Sequence, residues 1–250
     1  MTRFGSLLHA EWIKLRTTRV TWVLMGVAAV FTTFVVLSAL AAPVINGKEP
    51  GSVDDALRLV FASASSAAPV LGVLGVLLLA GEYRHGTITP AFLAEPARSR
   101  LLAGKLCVAT AIGLAVALGV ALVTIGLAVP SLHDARLDVA LGDAVVRGPL
   151  LGALVGLPLW CAFGTSVGAV VRNQVAAVAL ILGWGAIVEP AIFAVAPSAG
   201  RYLPATAGHA LSASPGAHLL SPWAGGLVLA GYVAALAAAA ALLIVRRDIT

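Results

Sequence analysis

Residues 81–105 read GEYRHGTITPAFLAEPARSRLLAGK, and they separate two apolar runs, 59–80 and 106–132, that are each long enough to cross a bilayer. The segment contains two acids, four Lys or Arg residues, one His and two prolines, whereas its flanks hold almost no charge. On a membrane protein, such a segment is either a solvated connector or a docking surface. The choice between these two interpretations largely determines the function.

The composition of the whole chain indicates a helical membrane protein. Of its 250 residues, 60% are hydrophobic and only 11% are charged, whereas a soluble domain carries about 25% charged residues. Ala, Val, Leu and Gly dominate in long unbroken runs, and a membrane β-barrel would instead need roughly ten-residue alternating segments. We therefore expect an all-α polytopic membrane protein.

Six apolar runs predict six transmembrane helices in a single transmembrane domain covering residues 1–250. The runs cover residues 20–42, 59–80, 106–132, 149–171, 175–196 and 219–245. The first is longer than the roughly 7–15-residue core of a signal peptide, so we interpret it as a retained span. Only Arg172, Asn173 and Gln174 separate the fourth and fifth runs, which predicts that those helices are antiparallel neighbours.

The distribution of basic residues predicts that both termini are cytoplasmic. With the N-terminus inside, the cytoplasmic segments contain eleven Lys or Arg residues and the outer segments five. This asymmetry follows the positive-inside rule. It also places the 81–105 segment in the cytoplasm.

Residues 1–19 form an amphipathic segment ahead of the first span. On a helical wheel, one arc is apolar and the rest polar: Phe4, Leu7, Leu8, Trp12 and Leu15 against Arg3, Ser6, His9, Lys14 and Arg16. This pattern predicts a helix lying in the cytoplasmic interface. Glu11 falls inside the apolar arc, where it pairs with Lys14 at i,i+3 or reaches a partner elsewhere. Pairing with Lys14 is the simpler alternative.

Glu189 is an acid within the fifth apolar run, and Pro190 follows it directly. At about 1.5 Å per residue it lies roughly 21 Å into the span, where an ionisable group is a candidate functional residue. Further prolines predict a broken, re-entrant segment before the last span: Pro197, Pro204, Pro215 and Pro222. Either Glu189 accepts hydrogen bonds from backbone freed by Pro190 and holds that segment together, or Glu189 and Pro190 line a path or gate. The first alternative is favoured.

Small residues recur four apart in the fourth run, at Gly152 and Gly156 and again at Gly164 and Gly168. Such a stripe lets another helix approach closely, either within one subunit or across a dimer, and both alternatives stay open. Residues 164–168 also match the G-x-S-x-G pattern around Ser166. Since none of the predicted spans contains a histidine to serve as its base, we interpret the pattern as helix packing.

The sequence predicts no catalytic residue, metal site or nucleic-acid surface. Neither Gly-Lys pair, at 47–48 or 104–105, is followed by the Ser or Thr of a phosphate-binding loop. The five histidines are isolated, and Cys107 and Cys161 lie in apolar runs. The basic residues are spread over the loops instead of forming one patch. If ATP powers this protein, we expect another chain to bind the ATP and Mg²⁺.

Three stretches resemble the type-2 ATP-binding-cassette (ABC) permeases, which are found in bacterial cytoplasmic membranes. Residues 82–88 (EYRHGTI), 96–100 (PARSR) and 104–106 (GKL) resemble the loop between the second and third spans of that family. Residues 11–16 (EWIKLR) are similar to its interfacial elbow helix, where Glu11, Trp12, Lys14 and Arg16 would be the characteristic residues. The six-span layout agrees, so that the resemblance covers essentially the whole chain.

The resemblance implies an exporter permease that works with a separate ATPase subunit and with a second permease copy or a sister subunit. In that family the loop forms a coupling helix that docks on the ATPase, which here would involve Glu82, Tyr83, Arg84, His85, Gly86, Thr87, Ile88, Phe92 and Leu93. The residues agree: Thr89 would cap a short helix with Pro90 at its first position, and Pro96 would end it. A solvated connector would not need Phe92 and Leu93. The competing interpretation is a secondary carrier or a non-transport membrane scaffold. A carrier should have coupling charges deep in several spans, where only Glu189 qualifies, and a scaffold would not need a broken helix with a buried acid.

Overall fold

A computed structural model describes residues 3–42, 52–95, 97–137, 139–214, 216 and 218–246. Within these ranges the chain is built from helices, which we number α1 Arg3–Thr17, α2 Arg19–Leu40, α3 Val53–Ala62, α4 Ala68–Arg84, α5 Ile88–Ala94, α6 Arg98–Asp134, α7 Ala144–Val171, α8 Gln174–Gly183, α9 Glu189–Val195, α10 Pro197–Gly200, α11 Pro204–Leu211 and α12 Pro222–Arg246. A 3₁₀ turn, Ser63–Ala67, joins α3 to α4. A π-helical turn, Trp184–Val188, joins α8 to α9.

Six helical stretches of the described chain are long and apolar enough to cross a membrane: Arg19–Leu40, Val53–Arg84, Arg98–Asp134, Ala144–Val171, Gln174–Val195 and Pro222–Leu243. This confirms the predicted all-α polytopic fold. The second, third and fourth stretches are longer than the apolar runs that predicted them. The helix α6, for example, already begins at Arg98. An apolar run marks only the lipid-embedded part of a membrane helix, and the helix can extend beyond the bilayer through charged residues.

The helix α7 forms the centre of the molecule. It packs most extensively against α4 and then against α6 and α12. Leu71, Leu74, Leu157, Trp160 and Cys161 are buried between these helices. A single long helix surrounded by others therefore carries the core, and α4, which leads into the 81–105 segment, is its main partner.

Glycines set the close approach of α7 to its neighbours. A Cβ at Gly164 would overlap the carbonyl oxygen of Gly72 in α4, and one at Gly152 would overlap the carbonyl oxygen of Leu211 in α11. A Cβ at Gly168 would lie 3.0 Å from the carbonyl oxygen of Val76. The small-residue stripe thus packs within one subunit, which resolves the alternative that the sequence left open.

Three of the four prolines expected to break the chain after α9 begin helices: Pro197 begins α10, Pro204 begins α11 and Pro222 begins α12. A proline suits the first position of a helix because its missing N–H would have no partner there. The fourth, Pro215, lies outside the described residues, as does Pro96. The broken segment before the last span is therefore a pair of short helices, and α11 packs against α12 and α7.

The helices α2, α8 with α9, and α12 form the periphery. Their apolar stretches are the least buried of the six candidate spans. Large side chains of these stretches are exposed, including Phe34, Leu182, Ile187 and Leu227. These faces are available to lipid or to another membrane helix.

Candidate functional site

Residues 81–105, hereafter the coupling segment after the role that the resemblance implies for them, are mostly helical. The helix α4 continues through Arg84, residues 85–87 turn, and Gly86 adopts a positive φ of 67°. The short helix α5 follows, Glu95 is extended, and α6 begins at Arg98. The segment is therefore a short helix held between the ends of two long ones.

The helix α5 begins earlier than the sequence predicts. Thr87, and not Thr89, is the residue before its first turn, and its side chain makes no capping hydrogen bond. Thr89 and Pro90 lie within the first turn, where a missing backbone N–H leaves no bond unmade. The expected Thr89 cap is thus wrong, although a short helix lies between the second and third spans as the sequence predicts.

Phe92 and Leu93 are adjacent in α5 but differ in exposure. Phe92 is half-buried and packs on a cluster formed by Leu79, Ile88 and Leu102, with the Arg98 guanidinium 5.2 Å from the centre of its ring. Leu93 is 78% exposed. Leu93 is consequently the exposed large apolar side chain of α5, while Ile88 and Phe92 pack against the membrane helices.

Four charged residues meet where α1, α4 and α6 come together; we call Glu11, Lys14, Glu82 and Lys105 the charge quartet. Lys105 Nζ lies 2.9 Å from Oε2 of Glu11 and 2.8 Å from Oε1 of Glu82. Lys14 Nζ lies 3.1 Å from Oε1 of Glu11 and 2.9 Å from Oε1 of Glu82. Glu11 therefore pairs with Lys14, the alternative that the sequence favours, and also reaches a partner elsewhere, Lys105. Glu82 and Lys105 tie both ends of the coupling segment to α1.

The quartet shifts the pKa values of Glu11 and Lys14 in opposite directions. Burial acts to raise the pKa of Glu11, but the charges and hydrogen bonds of Lys105 and Lys14 outweigh it, so that the pKa lies below its ordinary value. Burial acts to lower the pKa of Lys14, but Glu82 and Glu11 outweigh it and raise the pKa. Both residues are therefore charged at neutral pH. Only 1% of the Lys105 side chain is exposed, so its ammonium group is buried between two carboxylates.

The other two residues of the predicted elbow helix, Trp12 and Arg16, are exposed on α1. Trp12 is 51% exposed, and Arg16 accepts a hydrogen bond of 3.0 Å through its carbonyl oxygen from Nε1 of Trp22 in α2. Leu15 is buried against the core, and Leu8 packs beside it. The amphipathic helix is thus divided between a protein-facing side, which includes Glu11, and an outward side.

Arg172 connects the coupling segment to the last helix. It ends α7 in the left-handed conformation, with φ of 56°, and its guanidinium lies 5.5 Å from the ring centre of Tyr83. Its Nη2 donates a hydrogen bond of 3.0 Å to the carbonyl oxygen of Leu243 in α12. The predicted tight turn between the fourth and fifth spans is present, and Asn173 caps α8 through the backbone N–H of Ala176. No local sequence pattern indicates that Arg172 contacts Tyr83 and Leu243.

Glu189 is buried, with 1% of its surface exposed, and its Oε2 accepts hydrogen bonds from the backbone N–H groups of Ala205 at 2.8 Å and Thr206 at 3.2 Å. These amides belong to the first turn of α11, where helix N–H groups lack partners within the helix. The carboxylate therefore caps α11. The expected donors, backbone groups freed by Pro190, are wrong, because the π-helical turn before Glu189 already accommodates the proline.

A cavity of about 280 Å³ lies between α2, α4, α7, α8 and α11. Phe31, Trp160 and Ile181 contribute much of its apolar wall, and Ser65 and His209 are among its polar residues. Ala205, whose N–H binds Glu189, is also part of the wall, but Glu189 and Pro190 are not. Glu189 is thus connected to this cavity through α11.

The G-x-S-x-G pattern has a packing role. Ser166 is fully buried, and its hydroxyl donates a hydrogen bond of 2.9 Å to the carbonyl oxygen of Ala162 one turn earlier in α7. Thr165 makes the same kind of bond to Cys161. A hydroxyl engaged with its own helix in this way is not poised as a nucleophile.

Comparison with known families decides between a carrier, a scaffold and an ABC permease. The chain matches the family described as "ABC-2 family transporter protein" over residues 7–195. The chain belongs to this family. This ABC-2 permease is thus the membrane component of a transporter, associates with an ATPase subunit and is not itself catalytic. A search of curated proteins found no match.

The matched range of the ABC-2 permease starts within α1 and ends with α9. It therefore includes the charge quartet, the coupling segment and Glu189, whereas α10, α11 and α12 lie beyond it. Together with the six apolar helices, the match establishes a multi-pass membrane protein. The partners of Glu189 on α11 come from outside the matched range.

Proposed function

We propose that this chain is the permease subunit of a bacterial ABC exporter in the cytoplasmic membrane, with both termini in the cytoplasm. A separate ATPase subunit binds ATP and Mg²⁺. A second copy of the chain or a sister subunit completes the transport path. The observation that carries the proposal is the outward-facing Leu93 on a short helix whose other side is fixed in the core.

The proposed docking surface is the exposed side of the coupling segment. Among the nine residues expected to couple to the ATPase, Arg84, His85, Gly86, Thr87 and Leu93 are exposed. The others face the protein: Glu82 in the charge quartet, Tyr83 beside Arg172, and Ile88 and Phe92 in the cluster with Leu79 and Leu102. The exposed residues would contact the ATPase, and the inward ones would transmit its movement.

Movement of α5 would reach the spans by two routes. Ile88 and Phe92 pack on a cluster that includes residues of α4, α6, α7 and α12. The charge quartet joins both ends of the coupling segment to α1, and only Thr18 separates α1 from α2. A push on α5 is therefore delivered to the first span as well as to the core.

The proposed substrate path runs past the cavity between α2, α8 and α11. Phe31 and Trp160 favour a substrate with an apolar or aromatic part. Glu189 and Pro190 would serve the gate by positioning α11, whose Ala205, Gly208 and His209 form one wall. Export, as opposed to import, rests on the resemblance to exporter permeases.

Leu93→Asp tests the docking surface. The permease is purified with its ATPase subunit, which is identified by its nucleotide-binding motif and by ATP hydrolysis. We expect Leu93→Asp to lose about tenfold or more of the co-purified ATPase, because it places a charge in an apolar contact. Leu141→Asp is the matched control, since Leu141 is 54% exposed in the loop between α6 and α7, at the other end of these helices. Equal recovery of the ATPase with both variants would refute the docking assignment.

A further inference from the structure

A second cavity, of about 450 Å³, lies at the coupling-segment end of the molecule, between α1, α2, α4 and the start of α8. Lys14, Glu82 and Gln174 contribute to its polar side. Leu74, Leu77 and Leu78 of α4 contribute to its apolar side. The cavity therefore has one polar and one apolar side. Because α1 is an amphipathic helix next to a membrane span, the cavity lies at the predicted membrane interface.

Two oxygens of this cavity's lining residues are buried without a hydrogen-bond partner in the described chain. Glu82 receives both lysines on Oε1, at 2.9 and 2.8 Å, while its Oε2 has none. Oε1 of Gln174 likewise has no hydrogen-bond partner in the described chain. Buried acceptors are rarely left unpaired in folded proteins. Two of them in residues that line one cavity favour a ligand that brings N–H or O–H donors.

The charges around the cavity indicate what else that ligand carries. The charge quartet has two carboxylates and two ammonium groups and is therefore neutral overall. Lys14 has three N–H donors and uses two of them, on Glu11 and Glu82. Its side chain is 48% exposed. A neutral site with one free cationic donor and one free anionic acceptor complements a zwitterion with an adjacent cation and anion.

We infer that this cavity binds the headgroup of an aminophospholipid from the adjoining leaflet, which goes beyond the transport function proposed above. The primary ammonium donates to Oε2 of Glu82 and Oε1 of Gln174, the phosphate accepts from Lys14, and the acyl chains leave along Leu77 and Leu78. A choline headgroup has no N–H and cannot satisfy the two oxygens. A glycerol headgroup has no cation for Glu82.

Lipid retention by the purified full chain tests this inference. The protein is reconstituted into vesicles of equal parts dioleoyl phosphatidylethanolamine, phosphatidylcholine and phosphatidylglycerol, extracted mildly and examined by native mass spectrometry. We expect one phosphatidylethanolamine per chain, with about a tenfold preference over phosphatidylcholine, because hydrogen bonds to charged groups are the stronger kind. The measurement uses no ATP and no ATPase subunit, so its failure is distinct from failure of the transport proposal.

Variants locate the site. Gln174→Leu removes one of the two acceptors and leaves the charge quartet intact. Glu82→Gln removes the negative charge of the other acceptor. Each variant is expected to abolish the preference for phosphatidylethanolamine. Glu95→Gln is the matched control, because Glu95 lies in the same segment but pairs with Arg100 outside the cavity. Equal retention of phosphatidylcholine, no retained lipid, or an unchanged preference in Gln174→Leu would each overturn the inference. If Glu82→Gln fails to fold, Gln174→Leu alone decides.

Discussion

The two ends of the molecule each bury carboxylates, and they stabilise them differently. At the coupling-segment end, Glu11 and Glu82 are paired with Lys14 and Lys105. At the other end, Glu189 is held by two backbone N–H groups of α11. One end uses opposite full charges, and the other uses the partial charges of a helix terminus.

The difference determines what each acid connects. Two of the lysine pairs join residues far apart in sequence, since Lys105 and Glu11 are separated by 94 positions and Lys14 and Glu82 by 68. The contacts of Glu189 span 16 and 17 positions, within one broken segment. The quartet is therefore a junction between separate helices, while Glu189 shapes a single local unit.

Removing the most buried charge should produce the largest effect. Lys105→Met leaves Glu11 and Glu82 buried with only the half-exposed Lys14, and breaking a buried pair in this way costs about 3–5 kcal/mol. We expect that loss in the free energy of unfolding, measured by denaturation in detergent micelles. Lys14→Met is the matched control and should cost far less, because its charge is already partly solvated. Equal losses in the free energy of unfolding for the two variants would show that burial does not determine how much each lysine contributes to stability.

Changes at Glu189 should have an intermediate effect that depends on whether an acceptor remains. Glu189→Leu leaves two N–H groups of α11 unpaired and should destabilise the protein by about 1–3 kcal/mol. Glu189→Gln keeps an oxygen for them and should be nearly neutral in the same denaturation measurement. If Glu189→Gln instead lowers transport without lowering membrane expression, the charge itself serves the path.

The sequence was sufficient for the fold because each span carries its own signal. Apolar runs predict spans without knowledge of their neighbours, and prolines at 197, 204 and 222 mark helix starts locally. The predicted ends of the helices were less accurate, since Arg98, Arg100 and Lys105 are helical although their charges are typical of a loop. Polarity reports the boundary of the lipid and not the end of the helix.

The candidate site was only partly predictable for the opposite reason. Lys105 and Arg172 owe their roles to contacts with Glu11 and Leu243, which no local pattern indicates. Phe92 and Leu93 are adjacent apolar residues, and only the packing of α5 shows that the second is the exposed one. Glu189 was recognisable as a buried acid, but its partners depend on where α11 lies.

The smallest expected effect is a pH dependence confined to the quartet. Because the folded-state pKa of Glu11 lies below its ordinary value, its contribution is complete above the ordinary carboxyl value, about 4.3, and is lost as pH falls through the folded-state pKa. The raised pKa of Lys14 has the reverse sign, with its contribution lost only as pH rises above about 10.4. Between these limits α1 should remain attached.

Hydrogen exchange of the α1 amides measures this attachment. We expect protection of α1 to be constant from pH 5 to 9, after correction for intrinsic exchange, and to fall by a factor on the order of ten below pH 4. Glu11→Gln should remove that acid response, whereas Glu189→Gln, which alters the other end, should leave it intact. Loss of α1 protection already between pH 6 and 8 would contradict the assignment, because a group with the ordinary pKa of histidine would then control the junction.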